Sequence, residues 1–201
     1  MSEITSLSQL DLSNDKYTYA DYLSWKFEQT VELIKGKIFP MSGPSRRHQK
    51  ISWTLTLTIG TAFRNHRCEA YAAPFDVRLY DKRKAAKGDK NVNSVVQPDI
   101  CIICDLDKLD DRGCNGAPDL VIEILSPGNS SKEMKIKKDL YEENGVREYL
   151  IIDPEHENAF QFHLTEAEVY SPATIYVDDE VLTSVIFPDL QLNLKEVFSA
   201  S

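Results

Sequence analysis

The sequence predicts an α/β protein whose central elements run helix, strand, strand, strand, helix, strand, with a hairpin before them and further β segments after. Three observations lead to this reading. Ile51, Leu55, Ile59 and Phe63 recur every four residues, the spacing of a buried helix face. The apolar runs at 99–104, 118–126 and 147–153 have the length and composition of strands. Between the last two, Ser131 to Asn144 reads as a helix that stops at Gly145, a residue suited to the helix C-terminus.

In chain order, residues 1–16 are polar and expected to be flexible, and 17–201 form one domain. Thr18 to Trp25 reads as a short helix capped by Thr18. Thr30 to Met41 reads as a hairpin turning near Lys35-Gly36, followed by a loop over Ser42 to Ser45. His48 to Phe63 is the first long helix. Glu69 to Tyr80 is a strand, Asp81 to Ser94 a charged loop containing Gly88, and Val95 to Cys104 a strand. The acidic loop Asp105 to Gly116 lacks the Gly and terminal Glu of a calcium loop. After the strand at 147–153, a hairpin is expected from Asn158 to Tyr170, another strand pair near 174–187, then a C-terminal tail. No internal repeat is present.

An apolar fraction of 42% suffices for a core, and no run approaches the ~20 residues of a membrane span. Met1-Ser-Glu-Ile-Thr-Ser lacks the basic and apolar regions of a secretory signal, so a soluble, cytoplasmic protein without membrane contact is expected. A net charge of −9 argues against a protein that coats nucleic acid, but not against an enzyme that reaches DNA through a local basic strip and a metal. Basic residues cluster at Arg46-Arg47, at Lys82 to Lys90 and at Lys132 to Lys138; solvated loops and helix faces account for any one of them alone.

Cys101-Ile-Ile-Cys104 has zinc-like spacing, yet on a strand residues three apart face opposite ways. All four cysteines (Cys68, Cys101, Cys104, Cys114) are therefore expected to be buried, reduced thiols.

Chemistry enters at Pro118-Asp-Leu-Val-Ile-Glu-Ile-Leu-Ser-Pro127. Strand alternation puts Asp119, Val121, Glu123 and Leu125 on one face. A carboxylate mid-strand among apolar residues is costly unless paired or bound to a cation, so Glu123 needs a partner. Asp119, at the strand's start, suits hydrogen bonds to loop amides. Asp99 follows Pro98 at the head of another strand. Neighbouring strands would bring Asp99 and Glu123 to one point, where a divalent metal completed by phosphate and water would bind.

The chain resembles the PD-(D/E)XK nuclease superfamily, and within it the restriction-endonuclease-like proteins long catalogued as a domain of unknown function. The motifs that carry the resemblance are Glu32-Leu-Ile-Lys-Gly36, Gly43-Pro-Ser-Arg-Arg-His48, Pro98-Asp-Ile100, Pro118 to Pro127, Leu140-Tyr-Glu-Glu-Asn-Gly-Val146 and Glu148-Tyr-Leu-Ile-Ile-Asp-Pro154. They span about residues 18 to 190. The resemblance implies a restriction-endonuclease-like core with a mixed sheet and a Mg²⁺- or Mn²⁺-dependent endonuclease acting on DNA. Asp99 and Glu123 would hold the metal with the main-chain carbonyl of Ile124. Two residues after Glu123 stands Leu125 where the usual motif has lysine, and the resemblance moves that lysine to the next helix. Lys137 is favoured over Lys138 because Lys137 and Tyr141, four apart, share a helix face. Glu32 would be an added carboxylate near the metal, with pairing to Lys35 or Lys37 as the structural alternative. His48 would contact phosphate or water, or simply cap and pack. A homodimer is expected, since two-fold pairing is the commonest assembly. The competing reading is a catalytically inactive binding or interaction module on a nuclease fold. No Gly-rich phosphate loop or Ser nucleophile elbow points to another class.

Overall fold

The computed structural model describes residues 3–80, 92–127, 131–177 and 179–199. Its helices are α1 (Tyr19–Tyr22), α2 (Arg46–Phe63), α3 (Ser131–Asn144) and α4 (Leu194–Ser199). Its strands are β1 (Val31–Ile34), β2 (Lys37–Pro40), β3 (Glu69–Ala72), β4 (Val77–Leu79), β5 (Ser94–Val96), β6 (Ile100–Ile103), β7 (Leu109–Asp110), β8 (Gly113–Asn115), β9 (Leu120–Ile124), β10 (Glu148–Asp153), β11 (Asn158–His163), β12 (Thr174–Val177), β13 (Val181–Thr183) and β14 (Gln191–Asn193).

One sheet has the order β12-β11-β10-β9-β6-β3. β6 is antiparallel to both of its neighbours, β3 and β9, while β10 runs parallel to β9 with Tyr149 opposite Val121. A parallel neighbour needs a crossover, and α3 supplies it. The series α2-β3-β6-β9-α3-β10 is the predicted core, and its sheet is mixed.

Two predicted strands are each broken in two. The runs over Glu69–Tyr80 and Val95–Cys104 stop at Pro74 and at Pro98, which have no amide hydrogen to give a ladder. Across each proline the chain changes sheet. β4 and β5 pair with each other and join a second sheet of order β2-β1-β5-β4-β8-β7. Leu33 on β1 stands opposite Val95 on β5, which ties the N-terminal hairpin to this sheet. The hairpin turns through Lys35 and Gly36, both at positive φ (50° and 81°), as a two-residue turn requires. A side chain at Gly36 would also meet the Asp15 carbonyl at 2.2 Å. Of the predicted charged loop, 81–91 lie outside the described residues, and Ser94 belongs to β5. The acidic loop contains a 3₁₀ turn (Leu106–Lys108) and the small β7–β8 hairpin.

Alternation along β9 separates two cores. Leu120, Ile122 and Ile124 pack on one side with Ile51, Leu55 and Ile59 of α2 and with Val197 and Phe198 of α4. Val121 faces the other side, toward Val77, Val96, Leu140 and Tyr141. Glu123 shares the Val121 face and so points between the two sheets. A third cluster places Leu10 and Tyr19 against Leu33 and Val95; α1 is capped by Thr18, paired with Asp21 in a capping box.

The C-terminal third differs from expectation. β11 pairs with β10 and β12, and Leu164 and Tyr170 make only an isolated bridge. β13 pairs with β14 rather than with β12, and the predicted tail contains β14 and α4. The organising residue is Glu148, whose fully buried carboxylate accepts from Gln161 Nε2 (2.7 Å), Ser184 Oγ (2.6 Å) and the amides of Val185 (3.0 Å) and Ile186 (3.1 Å). These bonds draw the segment after β13 onto the sheet.

The cysteine expectation also needs correction. Cys68 and Cys104 form a disulfide, while Cys101 and Cys114 are buried free thiols. Residues three apart on a strand do diverge, and that divergence sends Cys104 toward Cys68, which lies just before β3 and across from it in the β3–β6 register.

Glu148→Ala strands four buried donors and should cost on the order of 3 kcal/mol, with Glu148→Gln losing less. Urea denaturation at neutral pH checks this; an unchanged midpoint in the alanine variant contradicts it.

Candidate active site

Glu123 finds its partner on α3. Lys137 Nζ donates to Glu123 Oε1 at 2.9 Å and to Glu32 Oε1 at 2.9 Å, bridging β9 and β1. Tyr141, one turn further along α3, donates its hydroxyl to the same Glu123 oxygen at 2.6 Å. Glu32 Oε1 also accepts the Gln97 amide at 3.0 Å, so β1 is fixed to the β5–β6 connection. Lys138 turns elsewhere: its ammonium lies 3.7 Å from Glu142 and over the rings of Phe162 and Tyr170. Lys35 pairs with Glu143 and not with Glu32.

Asp99, at the head of β6, accepts the Ile124 amide through Oδ2 at 2.7 Å. The next amide along, Leu125, donates to Ile152 of β10, so the backbone groups of Ile124 face the Asp99 side. His48 Nε2 lies 3.3 Å from Asp99 Oδ1, and its buried Nδ1 has no hydrogen-bond partner among the described residues. His48 sits here because Ser45 caps α2 by accepting the His48 amide at 3.1 Å.

Burial is the main force on the protonation of Glu123 and pushes its pKa up to about 7. Lys137 pulls it down, Glu32 and Asp99 push it up, and the Tyr141 hydroxyl lowers it. Burial opposes charge on Lys137, but Glu123 and Glu32 outweigh it and hold its pKa above the ordinary lysine value. Lys137 is therefore a cationic donor and not a base. Burial opposes charge on His48 too, and the hydrogen bond and charge of Asp99, with the Ile124 backbone and Glu123, raise its pKa overall.

These groups line a cavity of about 760 Å³, with Asp99, Glu123, Lys137, Glu32 and His48 in its wall. The structure thus brings together Asp99, Glu123, Lys137 and Glu32 with the Ile124 backbone. Asp119 stays apart, accepting the Cys104 amide at 2.8 Å and pairing with Arg147 at 3.1 Å. Two contributors escaped the sequence reading. Tyr141, used in the sequence only to mark the face of Lys137, is fully buried and donates to Glu123. Gln97 carries no motif; its side chain bonds Asp76 at 2.8 Å while its amide holds Glu32. Its place just before Pro98-Asp99 is the one signal that could have drawn attention to it.

A mixed sheet crossed by α3, with acidic residues at the strand ends beside a helix lysine, defines a restriction-endonuclease-like fold. A solved structure from Anabaena variabilis ATCC 29413, described as a "putative nuclease belonging to DUF820", shares this fold: TM-score 0.69 at 21% identity, over 92% of this chain and 98% of that one. Residues 19–195 match the Uma2 family model, described as "Putative restriction endonuclease", and the chain belongs to that family. Two uncharacterized proteins of Synechocystis sp., slr1290 and sll1609, are each 26% identical to it, over 68% of this chain and 68% and 74% of their own lengths.

The folded pKa of Glu123, about 7, lies above its ordinary 4.5. Between those values the folded protein holds a proton that the unfolded chain has released, so stability falls as pH rises through the window. Glu123→Gln has no such proton. In metal-free buffer its unfolding free energy, relative to the parent, should rise from pH 4.5 to 7 and then level off. Urea midpoints across this range check the sign; a flat difference contradicts it.

Proposed function

We propose that the protein is a divalent-metal-dependent DNA endonuclease that hydrolyses phosphodiester bonds. The observation that carries this reading is the convergence of Asp99 and Glu123, from adjacent strands, beside the Lys137 ammonium in one cavity. Among the described residues no three His, Cys, Asp or Glu side chains cluster to hold a metal unaided. The fit is instead to an ion held by two carboxylates and a main-chain oxygen, with phosphate and water completing the shell, the usual manner of Mg²⁺. Glu123 supports that fit: with Glu32 it shares the single ammonium of Lys137, so this pair of carboxylates is left with one negative charge beyond what that ammonium offsets.

Asp99, Glu123 and the Ile124 carbonyl would hold Mg²⁺ or Mn²⁺, which when bound activates water and neutralises phosphate charge. Lys137, protonated, donates to the phosphate oxygens as negative charge develops on them. Glu32 keeps that ammonium aimed at the Glu123 edge of the cavity. Tyr141, by occupying Glu123 Oε1, leaves the carboxylate's other oxygen for the ion. His48 orients Asp99.

Calorimetry with Mn²⁺ should show binding that disappears in Asp99→Ala and Glu123→Gln. Lys137→Ala should keep most of that binding while cleavage of plasmid DNA falls roughly 10²- to 10³-fold. A parent that binds no Mn²⁺ points to the inactive module, and an Asp99→Ala protein that cuts as fast as the parent removes this assignment.

A further inference from the structure

The outward face of α2 has a charge pattern unlike the rest of the chain. From residue 46 to residue 67 there are Arg46, Arg47, Lys50, Arg64 and Arg67 and no Asp or Glu, in a protein of net charge −9. Arg46, Lys50, Trp53 and Leu57 follow the helical repeat and share one exposed face, with Trp53 63% and Leu57 53% exposed. Arg47 pairs with Glu157, but neither Arg46 nor Lys50 has an ion-pair partner among the described residues. Cations in the first turn also oppose the helix dipole, so they cost the helix stability where they stand. Gln49 and Ser52, on the flank of this face, line the cavity that holds Asp99 and Glu123. The cationic strip with its bare indole is therefore continuous with the candidate active site.

A strip of this kind complements a polyanion carrying flat apolar rings. In duplex DNA those rings are stacked on one another, so an indole gains a stacking partner only from an unpaired base. We propose that this face of α2 carries a single-stranded flank of the nucleic-acid substrate, with phosphates on Arg46 and Lys50 and a base on Trp53. The proposal rests on the nuclease reading of the neighbouring cavity.

The test is binding without cleavage: metal-free protein, a labelled oligothymidine and a labelled duplex, followed by anisotropy across a salt series. Trp53→Ala, at an exposed site, should weaken oligothymidine binding roughly ten- to a hundredfold and duplex binding less than twofold. Arg46→Gln and Lys50→Gln should weaken both and lower the single-strand salt slope by about 0.7 each. Unchanged oligothymidine binding by Trp53→Ala, or equal losses on both ligands, overturns the proposal. So does sedimentation showing that Trp53→Ala turns a dimer into a monomer, because the face would then belong to a second copy. If Trp53→Ala loses oligothymidine as expected but the parent cuts no DNA with Mg²⁺ or Mn²⁺, the nuclease reading fails and the strand site stands. If the parent cuts DNA and Trp53→Ala binds like it, this inference fails alone.

Discussion

The structure depends on one ammonium group. Lys137 lies at 2.9 Å from both Glu32 and Glu123, and without it two carboxylates would face each other in a buried space. Each of the three groups is costly to bury alone. Together they are tolerated because each supplies the others' missing partner. The three come from β1, α3 and β9, so the contact that neutralises the site also joins the N-terminal hairpin and the crossover helix to the central sheet. A strand carboxylate that began as an anomaly becomes the point where the layers meet.

The second sheet exists to complete that point. Pro74 and Pro98 end ladders that would otherwise have continued, and the chain leaves the central sheet between them to build β4 and β5. β5 then pairs with β1, and Gln97 at its end donates its amide to Glu32. Two residues later Asp99 receives the Ile124 amide. A short connection thus fixes both a carboxylate of the hairpin and a carboxylate of the core. The C-terminal segments are held by a different device, the buried Glu148 carboxylate, which strand alternation puts on the face of β10 opposite Tyr149 and the cavity.

Much of this was legible in the sequence where local chemistry alone decides the outcome. Glu123 stood out because a charge inside an apolar strand demands an explanation. The four-residue repeat of α2 and the Gly145 stop of α3 are local signals. Lys137 could be preferred to Lys138 because helical spacing ties it to Tyr141. The illegible parts depend on partners distant in the chain. Strand runs through 69–80 and 95–104 looked continuous because β propensity does not say when a chain changes sheet, although Pro74 and Pro98 marked the places. The Cys68–Cys104 bond joins residues 36 apart, and the β3–β6 register, with Glu69 opposite Ile103, brings them together. The pairing of β13 with β14 likewise spans a connection, part of which (Ser184 to Ile186) is held by Glu148, a contact no periodicity reveals.

An ion held by the cavity's carboxylates and the cationic face of α2 would together let an acidic protein take the anionic substrate proposed for it. Long-range repulsion from a net charge of −9 would be offset where the strip stands and where a divalent ion would sit. Whether this cavity takes that ion decides the proposed chemistry. A crystal structure of the protein with Mn²⁺, with the metal located by its anomalous scattering, is the deciding measurement. One ion is expected within coordination distance of Asp99, Glu123 and the Ile124 carbonyl oxygen, with Lys137 beside it. Density at saturating Mn²⁺ that shows no ion between these carboxylates, or places it elsewhere, rules out metal-dependent hydrolysis at this site.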